Sequence, residues 1–326
     1  MSLQGSPLDT EEPSQRPRVP AHELREHVLC VLCGTDEHVT LFSAPPFRIV
    51  RCAECSLVYT LPRLPTARIT EMYQVDYWRS AEARNFGYTD YLRDRDRYLR
   101  TFRLRSKVID RYKTSPGRVL DIGCAAGFFL KVMEEKGWET TGVEISASMA
   151  DFARTDLKLS NVFTGALDAQ PFEPESFDVI TLWDVIEHLE DPRPILATAK
   201  RLLKNDGILV VETQNVESVF ARWMGRRWHH YKFEEHLWHF SPKTLSELLA
   251  LEQFTVLETS PRRAGKYVAL NFVLERSARI HPMLPKLLLP LRCLGSLSLY
   301  INPLDEMIAV ASKAPLATES GCRQNF

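Results

Sequence analysis

From residue 117 onward the apolar positions of this chain alternate between two periods. Arg118-Val-Leu-Asp-Ile122 is a short apolar run that reads as a strand, and Phe128 to Lys136 has helical spacing closed by Gly137. Thr140 to Ile145 predicts a second strand, followed by a helix from Ala147 to Leu157. Val162 to Thr164 predicts a third strand, and Phe177 to Trp183 a fourth with a helix from Pro192 to Leu203 behind it. Gly207 to Thr213 is a fifth, and Phe254 to Glu258 and Met307 to Ala311 complete the set. Strand–helix units repeated at this length bury both faces of a parallel sheet, so the expected fold class is α/β, a doubly wound, mostly parallel seven-stranded sheet. On such sheets ligands sit beyond the carboxyl ends of the strands, so the loops there should hold the chemistry.

Ahead of the sheet, Tyr88, Tyr91, Leu92, Tyr98, Leu99, Phe102, Val108, Ile109 and Tyr112 recur mostly at three- and four-residue steps and predict an amphipathic helical collar. Arg93, Arg95, Arg97, Arg100, Arg103 and Arg105 fall mostly off that stripe. They read as a solvated face mixed with Asp90, Asp94 and Asp96 in preference to a nucleic-acid face. Between the last two strands lies an insertion rich in Leu and Pro, expected to be helical, which reads as a helical lid, a homodimer surface at 282–304 or a membrane-surface contact. Its apolar run from Pro282 to Ile301 holds Lys286, Arg292 and three prolines, so no spanning helix is expected.

Composition adds limits. Hydrophobic residues at 44% permit a large core, and a net charge of -1 argues against a global attraction to nucleic acid or anionic lipid. The first residues are Pro-, Ser-, Glu- and Arg-rich with no apolar run, so they read as a disordered leader, not a secretory signal, and a cytoplasmic location is expected. Of seven cysteines, Cys30-Val-Leu-Cys33 and Cys52-Ala-Glu-Cys55 form two C-x2-C pairs 18 residues apart, the spacing of a tetrahedral thiolate site in a zinc ribbon. Gly34 suits the left-handed turn of a metal-binding knuckle. Iron would use the same ligands, but nothing else suggests redox chemistry. Four thiolates close the coordination shell, so the zinc is expected to be structural. The expected division is a leader over 1–27, a zinc ribbon over 28–62, a helical collar over 63–115, a catalytic domain over 116–314 with its insertion at 262–304, and a tail over 315–326.

The loop Asp121-Ile-Gly123-Cys124-Ala125-Ala126-Gly127 joins the first strand to its helix, where small residues let a ligand approach the backbone. It lacks the G-x-G-x-x-G spacing of dinucleotide-binding folds. Glu144 ends the second strand, where a carboxylate can accept both hydroxyls of a ribose. Gly165-Ala166-Leu167-Asp168 follows the third strand. Together with Gly142-Val-Glu-Ile145, Ser176-Phe-Asp178, Glu187-His188-Leu189, Leu202-Leu-Lys-Asn-Asp-Gly207 and Glu212-Thr-Gln-Asn215, this ordered set resembles the class I S-adenosylmethionine-dependent methyltransferases, whose sheet is Rossmann-like. The resemblance implies that Gly123 and Gly127 line the methionine moiety beside Cys124, with Asp121 near its amino group. Glu144 would bind the ribose, Ala166 and Leu167 would flank the adenine with Asp168 at its amino group, and Trp183 and Asp184 would floor the pocket. Ala166 stands where the family usually has an acidic residue. The paired cysteines, Leu57-Val-Tyr59, Pro62, Tyr73 and Tyr77-Trp78 resemble bacterial small-molecule methyltransferases with an N-terminal zinc module. Some of these act in sugar and natural-product pathways. The sugar C-methyltransferases usually continue into a further large domain not found in these 326 residues, which lowers the sugar reading.

An oxygen nucleophile must lose its proton to a base or a Lewis-acid metal. His188, His236 and Asp184 are the candidate catalytic residues, and His229, His230 and His239 lie in the same long segment after strand five. Asp184, Glu187, His188 and His236 resemble the metal-binding set of small-RNA 2′-O-methyltransferases and of ubiquinone-pathway O-methyltransferases, which would suit Mg2+. A hydrogen-bonded loop without metal is the alternative. Arg222 to Phe233 interleaves cations with aromatics and reads either as a cover over an aromatic or anionic acceptor or as packing under a loop. Three functions follow from this pattern: O-methylation of a small molecule, methylation of RNA, and a non-catalytic methyltransferase-like binding protein. The intact glycine loop and Glu144 favour catalysis, and the near-zero charge disfavours RNA.

Overall fold

A computed structural model describes residues 23–65, 68, 69, 71, 73, 78, 91–278, 281 and 283–313. The central sheet is built from β4 (Arg118–Ile122), β5 (Glu139–Glu144), β6 (Val162–Thr164), β7 (Phe177–Trp183), β8 (Leu203–Gln214), β10 (Thr255–Ser260) and β13 (Glu306–Ser312). Their order across the sheet is β10-β13-β8-β7-β4-β5-β6. The strands β4 to β8 run parallel, and β13 is inserted antiparallel to both β8 and β10. The order reverses between β4 and β7, where the crossovers leave to opposite sides and open a crevice at the carboxyl edge. The seven strands expected from periodicity are all present, with ends displaced by a residue or a few.

Burial explains the regularity. Val119, Leu120, Val179, Ile180, Leu209 and Val210 are wholly inaccessible, because helices cover both faces. One layer contains α2 (Phe128–Glu135) and α3 (Ala147–Thr155), and the other contains α4 (Arg193–Leu202) and α6 (Pro242–Leu251); the short α5 (Val219–Met224) follows β8. Ser241 caps α6 as expected, in a reciprocal box with Thr244 and with Pro242 in the first turn. The collar helix α1 (Arg95–Arg105) lays Leu99 and Phe102 against α2, with the Phe102 and Phe129 rings 5.6 Å apart.

A second sheet joins the front module to the body. It runs β1 (His38–Ala44), β2 (Phe47–Cys52), β3 (Val58–Leu61) and β9 (Trp238–His239), so its last strand comes from the catalytic domain. Arg63 is buried beneath this junction, with its guanidinium 3.8 Å over the Trp238 ring. The ribbon is therefore continuous with the domain, not a bead on a linker.

Three expectations need correction or limits. Leu24 and Arg25, placed in the leader by composition, pack into the fold: Leu24 is buried, and Arg25 pairs its backbone with Arg63 and its side chain with Glu190. The remainder of the leader through residue 22, Tyr77, Tyr88, Pro282 and the tail from residue 314 lie outside the described residues. Two collar arginines are not solvated: Arg105 is buried against Glu212, and Arg97 is mostly covered, donating to the Ser296 carbonyl at 2.7 Å. The insertion is a two-stranded ribbon of β11 (Lys266–Ala269) and β12 (Ser298–Ile301) enclosing α7 (Leu270–Ser277) and α8 (Leu284–Leu287). Among the described residues no helix is long and apolar enough to cross a membrane.

Candidate active site

The crevice at the carboxyl edge widens into a cleft of about 460 Å³, a size suited to a small organic ligand. Its floor is the loop after β4. Gly123 has φ +72°, and a Cβ there would stand 2.6 Å from Val185, so only glycine lets this turn pass beneath the loop after β7. Its N–H and that of Cys124 donate to the Val143 carbonyl, tying the loop to β5. Gly127, also expected on the cleft wall, has another task. Its φ is +79°, and a Cβ would meet Leu159 and Ala153, so it seats the start of α2 against α3 away from the lining.

Glu144 ends β5 inside the cleft, buried, accepting the N–H of Ala125 and of Ser146 at 2.8 Å each. Burial raises its pKa while the two amides oppose the rise. Asp121, on the adjacent strand, accepts the Thr181 hydroxyl at 2.6 Å, and burial pushes it up to about 8. Ala166, Leu167 and Asp168 line the wall after β6, Cys124 lines it from the loop after β4, and Trp183 from the end of β7. Trp183 is packed by Phe129 at 5.1 Å and Phe102 at 5.9 Å, and its Nε1 has no hydrogen-bond partner among the described residues.

Pattern reading missed the lid of this cleft. Tyr73, Trp78, Tyr91, Tyr98, Phe102 and Arg105 also line it. Trp78 Nε1 donates to Ser146 Oγ at 3.2 Å, fixing the collar over the tip of β5. The aromatic stripe was the available signal, but periodicity cannot tell a core-facing stripe from a cleft-facing one.

Asp184 and His188 occupy the other end of the cleft. Asp184 has φ +53°, a left-handed turn that aims the chain out of β7. The carbonyl of Glu235 lies 3.0 Å from His188 Nδ1 and can only accept, which favours the tautomer with the proton on Nδ1 and the lone pair on Nε2. The Tyr73 hydroxyl lies 3.0 Å from the same nitrogen. Burial lowers the His188 pKa to about 4, so the ring is neutral near pH 7. His236 is not on the cleft wall. It packs behind His188, rings 4.8 Å apart and perpendicular, with its pKa also lowered by burial. Glu187 is buried, accepts the Thr213 hydroxyl at 2.9 Å and is pushed up by burial and by the charge of Asp184. Donor atoms of Glu187, His188 and His236 lie within 4.8 Å of one another; Asp184, expected in the same set, is not among them.

Beyond Asp184 lies a buried ionic cluster that the sequence reading did not anticipate. Arg105 is 2.5 Å from Glu212 and 3.6 Å from Glu306, which also pairs with Lys266. Charges at this depth need partners, and the collar supplies one. His229 and His230 sit near it around Asp305, away from the cleft lining, and His239 lies beneath the front module. Trp228 and His230 of the segment Arg222 to Phe233 are buried, so its centre packs, whereas Trp223 faces outward.

The four cysteines converge in the front module. The Sγ atoms of Cys30 and Cys55 are 3.3 Å apart and those of Cys33 and Cys52 3.4 Å, and all four fall within 4.8 Å. Gly34 has φ +77° and donates to the Cys30 carbonyl, closing the first knuckle as expected; Ser56 with φ +67° closes the second onto Cys52.

A family model described as a methyltransferase domain matches residues 91–259. Among curated proteins, the ubiquinone biosynthesis O-methyltransferase of Actinobacillus pleuropneumoniae is 32% identical over 107 residues, 30% of this chain and 46% of that protein. The protein of the same description from Neisseria meningitidis is 32% identical over 120 residues, 34% of this chain and 50% of that protein. The chain thus spans about half the length of the curated relatives it matches. A solved structure from Thermotoga maritima, described as a SAM-dependent methyltransferase and possible histamine N-methyltransferase, is 22% identical. It aligns over 69% of this chain and 97% of its own, with a TM-score of 0.44.

Proposed function

The chain belongs to the methyltransferase-domain family, and on that premise we propose that it moves the methyl group of S-adenosylmethionine to an oxygen of a small-molecule acceptor. The observation that carries this reading is Glu144, a buried carboxylate at the tip of β5 facing a cleft floored by the Gly123 turn. A buried carboxylate suits the two hydroxyls of a ribose, and the Ala166–Asp168 turn with its neighbours offers an apolar slot for a base. The bound sulfonium would supply an activated methyl group.

The residues of the chain would then orient and deprotonate. Tyr91, Tyr98, Phe102 and Trp183 exclude water from the middle of the cleft. Neutral His188, its Nδ1 proton directed to Glu235, keeps the Nε2 lone pair for a hydroxyl proton. Ubiquinone biosynthesis O-methyltransferases among the relatives support oxygen as the acceptor atom and a small molecule over RNA. A second reading rests on the convergence of Glu187, His188 and His236, which would suit Mg2+ or Mn2+ as the activator of the same hydroxyl. The cysteine cluster we read as structural zinc, with its sulfur separations near those of one shared tetrahedral ion.

Calorimetry with S-adenosylhomocysteine on the purified chain tests the premise. Micromolar binding is the expected result, and no binding while a nicotinamide or flavin nucleotide binds would overturn it. Turnover that survives a strong chelator of Mg2+ supports His188 as the base, and turnover abolished by it and restored by Mg2+ supports the metal.

A further inference from the structure

We propose that His229, His230 and Asp305 form a second metal site, taking a divalent transition ion such as zinc through two imidazoles and one carboxylate. The first two residues precede β9, and Asp305 immediately precedes β13, so the fold brings together positions about seventy-five residues apart. His229 Nδ1 and His230 Nε2 each stand 3.8 Å from Asp305 Oδ2. These separations are too long for hydrogen bonds. They approach the spacing of neighbouring ligands on one tetrahedral ion, which bonds of roughly 2.0–2.1 Å set at about 3.4 Å. All three donor atoms lie within 4.8 Å of one another.

Two further observations point to a ligand. His230 is 7% exposed, and its Nε2 faces two carboxylates, Glu306 Oε1 at 3.4 Å and Asp305 Oδ2 at 3.8 Å, without a short, well-aligned hydrogen bond to either. A buried nitrogen held only by long contacts is poorly satisfied, and a metal ion would complete it. Asp305 is 1% exposed and has no Lys or Arg against it among the described residues, because Lys266 and Arg105 are directed to Glu306 and Glu212. Its Oδ2, the oxygen that both imidazoles face, also accepts the Trp228 Nε1–H at 2.8 Å, a hydrogen bond that fixes the carboxylate's orientation and leaves that oxygen a second lone pair for an ion. His229, with a side chain 24% exposed, gives an ion its way in. The rival arrangement is a hydrogen-bonded one without metal, in which His230 Nε2–H faces Asp305 and Glu306, whose Oε1 is 3.4 Å from that nitrogen. Three protein ligands of mixed nitrogen and oxygen leave a fourth position for water and favour zinc, cobalt or manganese over calcium.

The test is Co2+ titration of the metal-stripped full chain, with bound metal counted by plasma mass spectrometry. Cobalt on the four cysteines gives intense thiolate charge-transfer bands, whereas cobalt on nitrogen and oxygen ligands gives only weak d–d bands. We expect one equivalent of the second kind. It should bind at least tenfold more weakly in His229→Gln and in Asp305→Asn, and remain in His188→Gln and in Cys30→Ser. His229→Gln guards against misfolding in the more buried Asp305→Asn, and each variant is checked by its melting curve. No weak-band equivalent in the wild type, or its full retention in a folded His229→Gln, overturns the site. Loss in His188→Gln with retention in His229→Gln also overturns it, assigning the ion to Glu187, His188 and His236.

Discussion

Thr60 of the front module donates its hydroxyl proton to the main-chain oxygen of His236 at 2.9 Å, joining residues 176 apart in the chain. The next amide continues the connection: Leu237 N–H donates to the Glu187 carbonyl at 2.9 Å, and Thr60 N–H donates to the Leu237 carbonyl at 3.0 Å. The cysteine knuckles therefore bear on the backbone that carries Glu187 and His188. Replacing Cys30 and Cys33 by Ser is expected to remove one zinc, lower the melting temperature and reduce kcat more than cofactor affinity. Metal analysis beside steady-state kinetics checks this, and a variant with full zinc content would end the zinc assignment.

Thr60→Val keeps the shape of the side chain and deletes the hydroxyl. It leaves the His236 carbonyl without its donor, at a cost of about 1–3 kcal/mol in stability. Urea denaturation reads that loss. A variant as stable as the wild type would mean that the junction contributes nothing.

Glu144→Gln removes the charge while preserving size. The loss of charge-assisted hydrogen bonds should weaken S-adenosylhomocysteine binding by roughly ten- to a hundredfold. Calorimetry is the measurement, and unchanged affinity would remove Glu144 from the cofactor site.

His188→Ala should lower kcat by about 10²–10⁴, the ordinary range for a general base, with cofactor affinity retained. The Nδ1 contact to Glu235 predicts that His188→Gln, which can donate there but cannot accept a proton, restores stability without restoring turnover. Full activity in either variant would clear His188 of the role.

His239 is fully buried, with Nε2 3.2 Å from the Thr60 hydroxyl, and burial lowers its pKa to about 3. A histidine held neutral in the fold binds fewer protons than in the unfolded chain below pH 6.5. Its contribution to stability is thus present above pH 6.5 and declines by about 1.4 kcal/mol per pH unit below it, toward pH 3. Asp121, pushed up to about 8, works in the opposite direction between pH 4 and 8. Comparing wild type with His239→Gln at each pH cancels that opposing contribution. The stability difference should shrink by about 2 kcal/mol between pH 7 and 5, and a constant difference would show that His239 is not neutral and buried.

Much of this architecture was legible because its signals are local. The alternation of strand and helix follows from which residues must be hidden, so β4 to β8, β10 and β13 could be read from the order of apolar positions. Gly123 and Glu144 could be read because a turn with positive φ and a strand-end carboxylate are each defined by neighbours in the chain. The two C-x2-C pairs likewise contain their own geometry. Gly127 shows the limit of that reading: the left-handed turn was legible, but whether it served a ligand or packing depended on Leu159 and Ala153 across the fold.

What only the tertiary structure decided are the long-range pairings of charged and polar groups. Arg105 looks like the exposed Arg93, Arg95, Arg100 and Arg103 until the collar closes over Glu212, and Asp305 looks like a loop aspartate until Trp228, His229 and His230 surround it. Hydrophobic burial leaves a period in the sequence because it repeats along each element. A single buried ion pair or hydrogen bond leaves none, because its partner is chosen by how the elements come together.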